Sequence, residues 1–395
     1  MKLCNRLQNL KPSATIVMSS KARELKAQGK DIISLSLGEP DFETPDFIKE
    51  AAIQAIKDNY NHYTPVPGFV ALREAIAEKF KRDNGLDYSI DQIVVSTGAK
   101  QSIYNVMQSL VDEGDEVILP TPYWVSYADI VTLANGKVVE IKTGIEQDFK
   151  MTPAQLENAI TDKTKVLLYS SPCNPSGSVY SKSELAALVE VIKRYPDLVV
   201  ISDEIYEHIT YEDKITSLAS FPEIYNQVVT VNGLSKAFAM TGWRIGYLGA
   251  NHLIAKGCAT LQGQVTSGAN AIAQRAAITA LKADPSEIQY MVDAFKERRD
   301  MVMDIIQDIR GFTVHKPKGA FYIFPDVSDL FGKTLNGVLI NNADDLAFYL
   351  LEHAHVATVS GVSFGSPNCL RISYAASVEN LKEAFKRIKE AINNG

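Results

Sequence analysis

Leu198-Val-Val-Ile-Ser-Asp203-Glu-Ile-Tyr206 is an apolar run closed by a carboxylate and then a phenol, and Val228-Val-Thr-Val-Asn-Gly-Leu-Ser235-Lys236 closes in the same way on a hydroxyl and an amine. Runs that are apolar throughout, rather than alternating, are expected of strands covered by helices on both faces. Outward from this pair, similar β-branched runs occur at Ile93–Ser96, Val117–Leu119, Val138–Ile141, Val166–Tyr169 and Ile245–Leu248. Amphipathic segments separate them, and two of these start with legible caps. Thr152 precedes Pro153, with Gln155 placed for a capping box; Ser181 and Glu184 form another ahead of Leu185, Leu188, Val189 and Ile192. This β/α alternation predicts an α/β protein whose central sheet is mainly parallel and flanked by helices. Ligands of such sheets gather at the carboxyl ends of the strands. Asp203, Tyr206, Ser235 and Lys236 belong to that edge, and Arg244 opens the next strand. An anion, a phenol, an amine and a guanidinium are therefore expected to converge there.

The C-terminal third changes character. Met291, Phe295, Val302, Ile305 and Ile306 mark a long helix that bridges out of the first unit. Residues 312–324 and 356–374 then read as strands, and Leu381, Phe385, Ile388 and Ile392 mark a final helix, which together make an α+β unit. A chain of 395 residues, 46% of them hydrophobic, can bury a large core and suggests two or three domains. The formal charge of −7 and a pI near 5.5 argue against a surface for nucleic acid or for an anionic membrane. No window approaches the ~18 uninterrupted apolar residues of a membrane span, and Lys11 and Pro12 interrupt the one N-terminal stretch that could resemble an export signal. Cys4, Cys173, Cys258 and Cys369 are far apart and His353 and His355 are the only close histidine pair, so no metal site is expected. The expected compartment is a reducing cytoplasm.

A lone lysine after a strand is most often a solvated loop residue. Lys236, however, stands within Gly233-Leu-Ser-Lys-Ala-Phe-Ala-Met-Thr-Gly-Trp-Arg-Ile-Gly246. This run resembles, at every constrained position, the segment by which class I aminotransferases attach pyridoxal 5′-phosphate (PLP). Other segments look like the same family, in family order: Ser36-Leu-Gly38-Glu-Pro-Asp-Phe42, Tyr63-Thr-Pro-Val-Pro-Gly68, Asn174-Pro-Ser-Gly177, Ser202-Asp-Glu-Ile-Tyr206 and Leu370-Arg371-Ile-Ser-Tyr374. Lys11-Pro-Ser-Ala-Thr15 and Gly98-Ala-Lys100-Gln are most similar to its bacterial aspartate aminotransferase branch. Two departures are visible: Ser176 where the family usually has threonine, and Ser360 where proline is common. The resemblance implies the PLP-dependent aminotransferase fold, with a large PLP-binding α/β domain over residues 46–285. A smaller α+β domain would be made of residues 1–45 with 286–395.

The resemblance also implies roles. Lys236 would hold the cofactor as a Schiff base and, once displaced by the substrate amine, would carry the proton from Cα. Asp203 would pair with the pyridinium nitrogen and keep the ring an electron sink. Tyr206 and Asn174 would bond the 3′-oxygen, and Trp124 would stack on the ring. The phosphate would be met by the turn Gly98-Ala99-Lys100 at a helix start, by Ser235 and Arg244, and by Tyr63 of a neighbouring subunit. Arg371 would grip the substrate α-carboxylate, with Gly38 allowing close approach. Lys100 and Thr15 would meet a distal carboxylate, with Ser13 nearby, and Lys11 would contribute if the larger dicarboxylate prephenate is accepted.

The expected function is reversible ping-pong transamination of L-aspartate with 2-oxoglutarate, giving oxaloacetate and L-glutamate, in a homodimer with shared active sites. The same family also offers a prephenate, aromatic or broad-range aminotransferase. A nicotinamide oxidoreductase would need a GxGxxG after the first strand, which this chain lacks. A non-catalytic PLP-binding regulator would need a DNA-binding segment, against which the acidic charge counts.

Overall fold

A computed structural model describes residues 3–8, 10, 14–212 and 214–394. In chain order its strands are β1 (Ile33–Ser34), β2 (Ile93–Ser96), β3 (Glu116–Pro120), β4 (Lys137–Ile141), β5 (Thr164–Ser170), β6 (Val199–Asp203), β7 (Val228–Gly233) and β8 (Gly246–Gly249). They continue with β9 (Tyr322–Ile323), β10 (Lys333–Leu335), β11 (Val338–Ile340), β12 (Val356–Ala357), β13 (Val359–Ser360) and β14 (Leu370–Ser373).

The apolar runs of the middle of the chain all enter one seven-stranded sheet, ordered β2-β8-β7-β6-β5-β3-β4. Only β8 runs against its neighbours; the other pairings are parallel. Successive side chains of a strand point to opposite faces, and here each face has its own core. Ile93 and Val95 of β2 join one buried cluster with Leu72, Ile76, Leu185 and Leu188 from helices. Val94 joins another with Ile103, Val106 and Met107 of the helix Ala99–Leu110 and with Ile130, Ile254 and Cys258. Continuous burial is thus the reason these strands lack a polar alternation. Both capping boxes form: the Thr152 hydroxyl accepts from Gln155 N and the Ser181 hydroxyl from Glu184 N.

The remaining strands are short. β13-β14-β9 form an antiparallel sheet, β1 pairs in parallel with β12, and β10-β11 form a hairpin. The helix Gln289–Ile306 buries Met291, Phe295, Val302 and Ile306, and Val378–Asn393 buries Leu381, Phe385, Ile388 and Ile392. Two expected strands are mostly something else. Within 312–324 only Tyr322–Ile323 is strand. Pro317 has no N–H, and the N–H groups of Lys318 and Gly319 are both spent on Gly177 O, at 2.9 and 3.0 Å. Within 356–374 the chain turns at Gly361, where a Cβ would collide with Ser366 O. The Ser360 hydroxyl accepts from Val362 N at 3.3 Å and starts a 3₁₀ turn over Gly361–Phe364. Helices at Ala14–Ala27, Asp46–Lys57, Val70–Lys79 and Ala343–His353, and the hairpin, have no counterpart in the reading above. Among the described residues no helix is long and apolar enough to cross a membrane.

Candidate active site

At one end of the sheet the backbone makes a pocket for an anion. β2 leads through Gly98, at φ +83°, into the helix Ala99–Leu110, whose first N–H groups have no intrahelical partner. Gly98 supplies no side-chain cap. β8 lies beside β2 with Gly246 opposite Ser96, and a Cβ on Gly246 would collide with the Ala99 nitrogen. A Cβ on Gly98 would collide with the Arg244 guanidinium. Two glycines therefore let a strand, a helix start and a guanidinium close on one spot. Arg244 is exposed, sits at φ 56° and donates from Nη1 to Thr241 O at 2.9 Å. Buried Ser235 lines the same cavity. Backbone donors, a hydroxyl and a forked cation suit a phosphate.

The middle of the cavity holds Asp203 and Lys236. Asp203 ends β6, and its Oδ2 accepts from the Tyr127 hydroxyl at 2.6 Å while Oδ1 accepts from Ile205 N at 3.2 Å. Burial pushes its carboxyl up to about 6, against the pull of those two donors and of Lys236. A cation placed against it would restore the charge, so Asp203 suits a protonated ring nitrogen. Lys236 follows β7, partly buried, and donates from Nζ to Gly38 O at 2.6 Å. Burial brings its amine down to about 8; Arg371 and Arg244 push the same way, while Glu39 and Asp203 oppose them. An amine so placed reaches its neutral, nucleophilic form at lower pH than an exposed lysine does. Nζ stands 5.9 Å from the centre of the Tyr206 ring.

Arg371 lines the same cavity. It is 2% exposed, donates from Nη1 to Asn174 Oδ1 at 3.0 Å and from Nη2 to Ser36 O at 2.6 Å, and leaves Nε unpartnered. No carboxylate among the described residues forms an ion pair with it. A buried guanidinium with a free donor and no anion is built to receive one. At the rim the Lys100 ammonium lies 4.8 Å from the Trp124 ring centre, and burial of the amine, with Arg244 nearby, lowers its pKa although the residue as a whole is exposed.

One cavity of about 340 Å³ thus gathers Thr15, Gly38, Ala99, Lys100, Trp124, Asn174, Asp203, Tyr206, Ser235, Lys236, Arg244 and Arg371. Gly98 borders it through Arg244. Tyr63 does not join it and is 98% exposed. Lys11 and Ser13 lie outside the described residues. The sequence reading missed Tyr127, Tyr322, Ser170 and Thr241, which line the same space. Tyr127 had a signal: it follows Trp124 by one helical turn, and the two rings meet edge to face at 5.6 Å. Tyr322 had none beyond its strand.

The family model for class I and II aminotransferases matches residues 30–388. The aspartate/prephenate aminotransferase of Nitrosomonas europaea is 46% identical over 397 residues, covering all of both chains. The crystal structure of the aspartate aminotransferase from Rhizobium meliloti superposes with a TM-score of 0.97 at 42% identity, covering 100% of this chain and 99% of that one. That of Thermus thermophilus, determined with maleate, gives 0.93 at 40% identity over 99% of this chain and 100% of its own.

Proposed function

Because the chain belongs to the class I and II aminotransferase family, whose class I members depend on PLP, we propose that it transaminates L-aspartate with 2-oxoglutarate reversibly, giving oxaloacetate and L-glutamate. The observation that supports this most is the pair of cations, buried Arg371 and exposed Lys100, that line one cavity. A dicarboxylic substrate has an anion for each.

PLP suits the donor set. Ala99 and Lys100 N–H, Ser235 and Arg244 would hold its phosphate, and Lys236 would anchor it through the amine. Asp203 would face its ring nitrogen, Asn174 and Tyr206 its 3′-oxygen, and Trp124 one ring face. When bound, it supplies the electron sink that makes the substrate Cα–H acidic. Arg371 then orients the α-carboxylate by charge-assisted hydrogen bonds. Lys236, whose pKa burial lowers to about 8 so that more of it is neutral than of an exposed lysine, takes the proton from Cα and returns it in the reverse half-reaction. Lys100 and Thr15 hold the distal carboxylate. The same reading divides the chain into a large unit over 46–285 and a small one from 1–45 with 286–395, makes it a cytoplasmic homodimer, and places Tyr63 of a second copy at the phosphate.

A second reading within the family takes prephenate or an aromatic amino acid. The Lys100–Trp124 contact favours it, because an ammonium seated on an aromatic face can also leave the cavity open to a ring. Single-turnover spectra of the holoenzyme with a panel of amino acids test the two, with Lys100→Met as the discriminating variant. We expect kcat/KM for aspartate to fall roughly tenfold or more while that for phenylalanine holds. Equal losses would assign Lys100 to the cofactor and favour the second reading.

A further inference from the structure

Tyr322 has no role in the scheme above, yet it lines the same cavity. It lies on β9, fully buried, beside the strand β14 that carries Arg371. Its hydroxyl is 2.7 Å from the Tyr206 hydroxyl. Its ring faces Arg371, with the guanidinium carbon 4.8 Å from the ring centre. Gly38 closes the remaining side, since a Cβ there would collide with the Tyr322 hydroxyl.

Burial raises the pKa of both phenols, so both keep their protons at neutral pH. Two hydroxyls that share one contact must divide the roles of donor and acceptor. If Tyr206 donates to Tyr322, its single proton is spent. If Tyr322 donates, the Tyr206 proton remains available to the cavity. The guanidinium beside Tyr322 favours the second arrangement, because a neighbouring cation makes a phenol the better donor. The same ring gives Arg371 a π-face on a side where no hydrogen-bond partner is needed.

We propose that Tyr322 is a positioning residue acting through two others: its hydroxyl donates to Tyr206, leaving the Tyr206 proton for an anionic oxygen in the cavity, and its ring supports Arg371 for a substrate carboxylate. This rests on the transamination reading.

Four holoenzymes test it: wild type, Tyr322→Phe, Tyr206→Phe and the double variant, with Tyr322→Leu as a fifth. The readouts are the pH titration of the cofactor absorbance, kcat, and equilibrium binding of the unreactive dicarboxylate succinate. Tyr206 donates more strongly while it accepts from Tyr322, and a hydrogen bond to an anion lowers the pKa of its conjugate acid, so Tyr322→Phe should raise the spectroscopic pKa by about half a unit or more. It should also lower kcat roughly tenfold and leave succinate binding within about twofold of wild type. In the Tyr206→Phe background the same substitution should move the spectroscopic pKa no further, because its route is gone. Tyr322→Leu should weaken succinate binding roughly tenfold as well. A Tyr322→Phe titration that matches wild type, or that shifts equally in both backgrounds, overturns the role of the hydroxyl. Succinate binding that is lost in Tyr322→Phe, or kept in Tyr322→Leu, overturns the role of the ring. The phenylalanine variants decide both points if the leucine variant does not fold. A wild type with no titratable cofactor band would instead overturn the transamination reading, and the inference with it.

Discussion

At the scale of single residues, the site is organised by burial acting on charge. Asp203 ends β6 and Lys236 follows the adjacent parallel strand β7, yet desolvation moves each toward its neutral form, to about 6 and about 8. For Asp203 this has a consequence for the protein stripped of cofactor. Its carboxyl ionises near 3.8 in an unfolded chain and near 6 when folded. The folded state therefore binds the proton more tightly, and stability is lost as pH rises through that window. Well below pH 3.8 both states are protonated and nothing is lost; at 3.8 the unfolded carboxyl is half ionised and the loss is under about 0.5 kcal/mol, and by pH 7.5 it is about 3 kcal/mol. Asp203→Asn should accordingly stabilise the cofactor-free protein at pH 7.5 by an amount of that order and change it by less than about 0.5 kcal/mol near pH 3.8, while impairing the holoenzyme. Urea unfolding at the two pH values measures this, and an equal effect at both would show that the carboxylate is not strained by burial. Position marked Asp203, Tyr206 and Lys236 as polar residues at the ends of apolar strands, and the family resemblance around Lys236 was what singled them out. Tyr127 and Tyr322 were not legible, because an aromatic residue on a helix or strand looks like core until its hydroxyl has an address.

At the scale of elements, close approach decides more than propensity. The helix start at Ala99 lies against β8, and β8 can approach it so closely only because residue 246 has no Cβ. Gly246→Ala should push the strand off the helix start. We expect cofactor affinity to fall roughly tenfold or more, with an overpacking loss of about 1–3 kcal/mol in stability. Ser181→Ala is the control: it removes a capping hydroxyl worth about 1 kcal/mol and touches nothing in the cavity. A PLP titration beside urea unfolding separates them, and equal affinity losses in both variants would refute the close-approach argument. The capping boxes were readable as local spacing. The break of the expected strands at Pro317 and Gly361 was only half readable, since both residues are visible but Gly177, which accepts the N–H groups that follow Pro317, is remote in sequence.

At the scale of the whole molecule, the turn that presents Asp203 and Tyr206 is pinned from behind. Buried Glu207 accepts from Lys79, from Asn84 Nδ2 at 2.7 Å and from Asn232 Nδ2 at 2.7 Å, tying the turn to a helix and to β7 just before Lys236. Burial alone would raise its carboxyl, but Lys79 and His208 outweigh that and hold it below the usual range. The side facing solvent carries Tyr63, whose proposed role needs a second copy of the chain. If it is correct, Tyr63→Ala and Lys236→Ala, each impaired alone, should recover activity when their subunits are exchanged, because a hybrid dimer holds one site with neither substitution. No recovery in verified hybrids would return Tyr63 to the surface. What the sequence by itself determined is what short-range pattern encodes: the unbroken apolar runs, their alternation with capped helices, and therefore the sheet and the edge where polar residues collect. The fourteen-residue run around Lys236 also carried the family resemblance. Only the tertiary structure decided that Tyr322 meets Tyr206 across 116 residues of chain, that Arg371 is buried against Ser36 and Asn174, and that Gly246 faces Ala99. The reason is physical: periodicity records which face of an element is buried, whereas these contacts depend on how separate elements pack, and no spacing along the chain contains that.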